Sequence, residues 1–209
     1  MLSIKDLREH YGKGQLLEKD LTSNPVQLFD AWFRLALDNK IQEPNAMVLS
    51  TVGLQGTPRS RVVLLKEYSE KGFVFYTNYQ SEKGREIQNK PNVCLNFSWL
   101  TMEKQIRIEG IASKVSEAES EEYFNSRPLG NRIGALISDQ SKPISSRDEL
   151  DKKLTEFPKS IHIKRPEHWG GYIIEPNLIE FWQGRANRLH DRIEYKLIND
   201  RWVCQRLQP

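Results

Sequence analysis

The feature that most restricts this chain is its short, strand-period apolar segments joined by tight-turn signals. From Ala46 the sequence reads AMVLSTV, a GLQG turn and RSRVVLLK, the pattern of a hairpin. Glu70-Lys71-Gly72 makes another turn ahead of FVFYTN. NVCLNFSW and KQIRIEGIASKV follow. In the second, Ile106 and Ile108 alternate with Gln105, Arg107 and Glu109, as in a strand with one wet face. Gly170–Glu175, Leu178–Gln183, Arg192–Ile198 and Trp202–Leu207 read as four closing strands, with Asn199-Asp200 as a tight turn. Helices are interspersed. Asn24-Pro25 caps and opens one with the stripe Leu28, Phe29, Trp32, Leu35 and Ala36, running to about Asp38. Ser81 to Asn89 and Asn131 to Ile137 suit short helices, and capping signatures stand at Ser116–Glu119 and Ser146–Glu149. Strand–helix–strand alternation is missing, which disfavours a doubly wound parallel sheet. The expectation is a mainly β (α+β) chain: an antiparallel barrel of about eight short strands with peripheral helices.

Composition narrows the classes. Of 209 residues, 28% are charged and 38% hydrophobic, too apolar a balance for a disordered chain. No apolar run exceeds about four residues, far short of the roughly 20 that a membrane helix needs. The opening MLSIKDLREHYGKG has no apolar stretch, so a secretory signal is not expected. The net charge of +3 does not call for nucleic acid. Cys94 and Cys204 stand far apart, which excludes a disulfide framework and fits a reducing cytoplasm; both read as buried core thiols. His10, His162, His168 and His190 lack metal-ligand spacing, and no phosphate-loop or nucleophile-elbow motif occurs. Residues 1–24 are polar and read as an N-terminal arm with a basic-aromatic patch from Arg8 to Gly14; residues 25–209 read as a single domain.

Four segments carry candidate chemistry. The first is Glu180 to Arg192, containing Arg188-Leu189-His190-Asp191-Arg192. If extended, it points Arg188, His190 and Arg192 to one face, where their mutual repulsion is relieved by an anion or by neighbouring acidic residues. Asp191 then faces the other way. The second is Arg59 to Lys66, an apolar strand with Arg61 and Lys66 on opposite faces. The third, Tyr76 to Lys83, leads a strand end rich in hydroxyls and amides into a helix N-terminus, where free N–H groups suit a phosphate. The fourth is Tyr123 to Arg132, with a hydroxyl, amides and guanidinium groups.

Together these segments resemble the pyridoxine (pyridoxamine) 5′-phosphate oxidase family of FMN-binding split barrels. The resemblance runs from Leu7-Arg8 to Arg206-Leu207. It is most specific in EFWQ and RLHDR between Glu180 and Arg192, with support from RVVLLK, FYTN, YFNSRP, IGA and Gln140-Ser141. It implies a split β-barrel of Greek-key type and a homodimer with FMN at the subunit interface. It implies oxidation of pyridoxine or pyridoxamine phosphate to pyridoxal phosphate, with oxygen as acceptor and hydrogen peroxide as product.

Carried over by position, the segment Arg61, Val62, Val63, Leu64, Leu65 and Lys66 would run along the flavin. Arg61 and Lys83 would hold its phosphate, beside Ser81 and Glu82. Tyr76, Thr77, Gln105, Gln140, Ser141, Trp182 and Arg192 would complete the cofactor site. Lys66, Tyr123, Arg127 and Asn131 would grip the substrate phosphate. Arg188, Leu189 and His190 would stand at the substrate, with Arg188 and His190 as the catalytic pair. Arg8 and Tyr11 match a segment that closes over the site. No metal is implied. Glu82 stands where a basic residue is expected, and Asn131 where Ser is common. The alternatives are another split-barrel flavin oxidoreductase and a non-catalytic flavin or pyridoxal-phosphate binding protein.

Overall fold

The computed structural model describes residues 3–7, 9–158 and 163–209. Arg8 and His162, singled out above, lie outside them. Nine strands and five α-helices occur among the described residues. In chain order they are α1 (Pro25–Asp38), β1 (Ala46–Val52), β2 (Pro58–Leu64), β3 (Glu67–Ser69), β4 (Gly72–Asn78), α2 (Glu82–Asn89), β5 (Asn92–Trp99), β6 (Lys104–Lys114), α3 (Glu117–Ser126), α4 (Leu129–Ile137), α5 (Arg147–Thr155), β7 (Trp169–Gln183), β8 (Asp191–Ile198) and β9 (Arg201–Leu207). The strand path is β2-β1-β5-β6-β7-β4-β3, with β8 on β7 and β9 on β8, and it does not close. This is the mainly β class that the turn-rich pattern predicts. None of the described helices is long and apolar enough to cross a membrane.

The caps form where the sequence places them. The Asn24 side chain accepts from Val26 N at 2.9 Å and Pro25 opens α1. Ser116 and Glu119 make a complete capping box on α3, and Ser81 caps α2 by accepting from Gly84 N. Gly84 lets α2 start this close to β4: a Cβ there would meet Tyr79 O at 2.1 Å.

The chain divides into two compact units. The first takes the described residues of Met1–Leu49, Cys94–Gly110 and Pro176–Pro209. Its core holds Phe29, Leu95, Phe97, Ile106, Ile108, Ile179 and Phe181, all fully buried. Trp32 meets Phe181 edge-on at 5.2 Å, so the apolar stripe of α1 seats on β7. Each such side chain contributes about 1.5–3 kcal/mol of transfer free energy. The second unit takes the described residues of Ser50–Val93 and Ile111–Glu175, around Phe73, Phe75, Ile87, Phe124 and Ile174.

Four expectations need correction. β7 is one strand through Pro176, not two strands. Its residues 169–174 pair with β4 and its residues 178–183 with β8, so Pro176, which has no N–H, stands between the two registers. The stretch before β8 is not extended: Ala186–Arg188 is a 3-10 turn, with Asn187 at φ 57° and Arg188 at φ 61°. Arg188, His190 and Arg192 therefore do not share a strand face. Cys204, on the edge strand β9, is exposed, and Cys94, which alternates with the buried Val93 and Leu95, is only partly buried. β3, which pairs with β4, was not anticipated; at three residues it is too short to show a period.

Candidate active site

In the second unit, β2, β4, α3 and the chain after α4 surround a cavity of about 350 Å³. Val62, Val63, Leu64, Lys66, Tyr76, Thr77, Lys83, Tyr123, Arg127, Asn131 and Gln140 all line it, as do Asn78 and Trp169. Of the predicted residues in this unit, Leu65 is instead 4% exposed and belongs to the core. Ser81 is fully buried as the cap of α2, and Ser141 sits in the exposed chain beyond Gln140 with φ 72°.

Two buried or half-buried cations that line this cavity, Lys83 and Arg127, have no carboxylate at ion-pair distance among the described residues. The Lys83 ammonium is buried and donates to Thr77 Oγ1 at 3.1 Å and Ser81 Oγ at 3.4 Å. Among the described residues it has no carboxylate at ion-pair distance. Burial, with the Arg61 charge added, pulls its pKa down to about 8. Arg127 lies over the Trp169 ring, 4.5 Å from its centroid, and its Nη1 is buried with no hydrogen-bond partner. Burial lowers its pKa. Beneath it, Tyr76 and Tyr123 stack at 3.9 Å, and Trp169 lies nearly parallel to both. Burial pushes the Tyr76 phenol up to about 12, so it stays a neutral donor.

Beside Lys83 the charges are matched. Arg61 Nη2 pairs with Glu86 at 3.0 Å, and Thr51 Oγ1 donates to the same carboxylate at 2.6 Å. Burial alone would raise the Glu86 pKa, but Thr51, Arg61 and Arg59 outweigh it and hold the group ionised. Arg59 also pairs with Glu82, so the acidic residue at this unexpected position is already neutralised.

The first unit holds the other predicted residues. Tyr11, Gln105 and Trp182 line a cavity of about 550 Å³ with Glu103, Lys104 and Lys13. Trp182 and His190 are 4.6 Å apart, and Tyr11 stands edge-on to both, at 5.8 and 5.3 Å. His190 Nδ1 accepts from Arg185 N at 3.1 Å, which leaves the ring proton on Nε2. Burial and the nearby Arg188 charge lower its pKa, which favours the neutral ring. Arg188 and Leu189 are exposed. Arg192 Nε pairs with Glu180 Oε1 at 2.7 Å, and Arg107 takes the other oxygen at 2.7 Å. Asp191 accepts from Leu16 N, Arg185 and Arg206, a structural role.

Trp169 and Glu103 escaped the sequence reading. Trp169 stands beside Gly170-Gly171, a signal that was available. Nothing local marks Glu103. Arg59 opened a candidate segment, but its pairing with Glu82 was not anticipated.

A family model described as pyridoxamine 5′-phosphate oxidase matches residues 34–158. A second, described as the pyridoxine 5′-phosphate oxidase C-terminal dimerisation region, matches residues 169–209. A pyridoxine/pyridoxamine 5′-phosphate oxidase from a Cyanothece species is 48% identical, over 100% of this chain and 99% of the relative. The chain belongs to the pyridoxine/pyridoxamine 5′-phosphate oxidase family. The namesake from Thermosynechococcus vestitus is 50% identical over 100% of both chains. Among solved structures, PhzG from Burkholderia lata 383, in complex with tetrahydrophenazine-1-carboxylic acid, superposes with TM-score 0.89 and 29% identity, covering 95% of this chain and 100% of that one. An FMN-binding, pyridoxamine 5′-phosphate oxidase-related protein from Nostoc punctiforme has TM-score 0.74 at 16% identity, covering 90% of this chain and 100% of its own. That likeness concerns the fold alone. In family terms, RVVLLK, FYTN and YFNSRP belong to the second unit, and RLHDR with Trp182 to the first.

Proposed function

We propose that the protein is an FMN-dependent oxidase that converts pyridoxine 5′-phosphate and pyridoxamine 5′-phosphate to pyridoxal 5′-phosphate, with oxygen as acceptor and hydrogen peroxide as product. The supporting observation is the buried Lys83 ammonium and the half-buried Arg127, each without a carboxylate at ion-pair distance among the described residues, in a chain that matches oxidases of this name over its full length. A buried cation whose partners are neutral hydroxyls, and one with an orphaned guanidinium N–H, fit two phosphate-bearing molecules.

In this reading Arg61 and Lys83, with Thr77 and Ser81, hold the flavin phosphate. Val62 to Lys66 run along the flavin, and Tyr76, Gln140, Ser141, Gln105, Trp182 and Arg192 complete its site. Glu82, neutralised by Arg59, leaves the positive balance at the phosphate intact. A bound flavin supplies a hydride acceptor for the carbon that bears the alcohol or amine. The chain fixes that carbon. Lys66, Tyr123, Arg127 and Asn131 grip the substrate phosphate, and Asn131 donates through its amide where a hydroxyl is common. Arg188 steers and supports the substrate charge. His190 offers its Nε2 proton to a substrate oxygen or amine, and with Nδ1 engaged it has no free lone pair with which to act as base. Tyr11, on the N-terminal arm, closes over the substrate.

The family model that covers residues 169–209, a dimerisation region, supports a homodimer, and the family resemblance implies FMN at its interface. The free thiols of Cys94 and Cys204 support a reducing, cytoplasmic setting. Relatives 48–50% identical along the whole chain, against 29% for PhzG, favour this activity over another split-barrel chemistry.

The test is direct. Purified protein carries yellow FMN, and anaerobic pyridoxine phosphate bleaches it. Oxygen restores the colour with one peroxide per turnover. A protein that carries no flavin, or a flavin that neither phosphate bleaches, overturns the reading. Arg127→Ala then raises KM for pyridoxine phosphate while FMN stays bound; an unchanged preference over unphosphorylated pyridoxine moves the phosphate grip elsewhere.

A further inference from the structure

The first unit contains a buried carboxylate that the proposed chemistry does not use. Glu103 is 6% exposed and has no ion-pair partner among the described residues. Two donors from the N-terminal arm hold it: Gly12 N and Lys13 N each donate to Oε2 at 2.9 Å. Lys13 Nζ adds a bond to Thr101 O at 2.9 Å.

The backbone at Glu103 is locked independently of the arm. Its φ of 55° is left-handed, and its N–H donates to Leu100 O at 3.0 Å. Its carbonyl accepts from Gly184 N at 2.8 Å and from Gln183 Nε2 at 3.2 Å. The side chain is thus aimed from a rigid base at two main-chain N–H groups. Without those donors it would be a buried charge with nothing to satisfy it.

The two N–H groups directly follow Tyr11, the residue edge-on to Trp182 and His190. Gly184 makes room for that ring: a Cβ there would meet Tyr11 Cδ1 at 2.5 Å. The base of the arm is held separately. Leu16 is 1% exposed, its N–H donates to Asp191 Oδ2 at 3.0 Å, and its carbonyl accepts from Arg206 at 2.8 Å. Releasing Glu103 therefore frees the tip of the arm and leaves its root in place.

We infer that Glu103 is a positioning residue: its carboxylate sets the tip of the arm so that Tyr11 covers the Trp182–His190 face where substrate is bound. This rests on the reading that Tyr11 closes over the substrate.

The test uses flavin-loaded enzyme and two variants. Glu103→Gly deletes the side chain without strain, because glycine accepts the left-handed backbone. Glu103→Gln keeps an oxygen that can accept both N–H groups. Trypsin cleavage after Lys13, followed by mass spectrometry, reads the hold on the arm; KM and kcat for pyridoxine phosphate read its use. In Glu103→Gly, cleavage accelerates and KM rises by about tenfold each, the scale of one charge-assisted hydrogen bond, while kcat changes by less than about twofold. Glu103→Gln restores both to within about threefold of the parent. Should Glu103→Gly not fold, Glu103→Asn, whose side chain tolerates the left-handed backbone but is one methylene too short to keep both arm contacts, raises cleavage and KM alike.

Parent-like cleavage and KM in Glu103→Gly overturn the inference, as does a Gln variant no better than Gly. Tyr11→Ala separates the two layers of the argument. A raised KM there with a parent-like Glu103→Gly sinks only the role of Glu103. An unchanged KM in Tyr11→Ala sinks the closure reading and the inference with it, even where cleavage accelerates.

Discussion

The RLHDR segment of the first unit and the cavity of the second treat positive charge in opposite ways. In the first, Arg192 and Arg107 share Glu180, while Arg185 and Arg206 share Asp191. Burial works against Glu180 ionising, but the bonds from Arg192 and Arg107 more than offset it and hold its pKa low. In the second, Lys83 meets two hydroxyls and Arg127 meets an aromatic face. The first arrangement is complete as folded. The second costs stability until an anion arrives. The difference teaches that a basic motif does not by itself mark an anion site: RLHDR is the more conspicuous cluster in sequence, yet the buried ammonium without a carboxylate at ion-pair distance, Lys83, is elsewhere.

The sharpest way to break this contrast is to remove one cation from each unit. Lys83→Met in the second should weaken FMN binding to the apoprotein by roughly ten- to a hundredfold, the value of a charge-assisted hydrogen bond. The same change should raise the melting temperature of the flavin-free protein, since it deletes a buried charge without a partner. Flavin-fluorescence titration and calorimetry read the two effects, and a lower melting temperature would mean that Lys83 is already satisfied in the fold.

Arg192→Met in the first unit should act the other way. It leaves Glu180 with Arg107 alone and should lower stability by about 1–3 kcal/mol in urea unfolding. Unaltered stability would show that the Glu180 pair is no scaffold.

A pH series sharpens the same point. The folded pKa of Lys83 lies near 8, well below the usual lysine value near 10.5. Between those values the unfolded chain binds more protons than the folded one, so this group makes the apoprotein more stable as pH rises from 8 to 10.5. FMN phosphate needs the ammonium, so affinity should fall above pH 8, by up to about tenfold per unit, in the parent but not in Lys83→Met. A flat profile in the parent would remove Lys83 from the phosphate.

The smallest expected effect is at Glu82. It is half-exposed and engaged by Arg59. Glu82→Gln should tighten FMN binding by no more than about fivefold, the range of an exposed ion pair. A larger gain would show that its charge opposes the phosphate directly.

What the sequence determined by itself was local. Asn24, Ser81, Ser116 and Ser146 all cap the helices they precede, because a cap bond spans only two or three residues. Asn199-Asp200 forms its turn with both residues at positive φ, since a short polar side chain tolerates that backbone between two strands. The motifs that carry the family resemblance were likewise readable as strings. Tertiary structure decided the rest, through contacts no local pattern encodes. Glu103 finds the arm 90 and 91 positions away, and Arg107 finds Glu180 at 73. Pro176 stays inside a strand because its neighbours change partners there. The RLHDR segment turns at Asn187 and Arg188, where strand parity predicted an extended run. Burial, finally, is a property of packing: among the described residues it leaves Lys83 and Arg127 without a carboxylate at ion-pair distance, while Arg192, in the more basic-looking motif, is already paired.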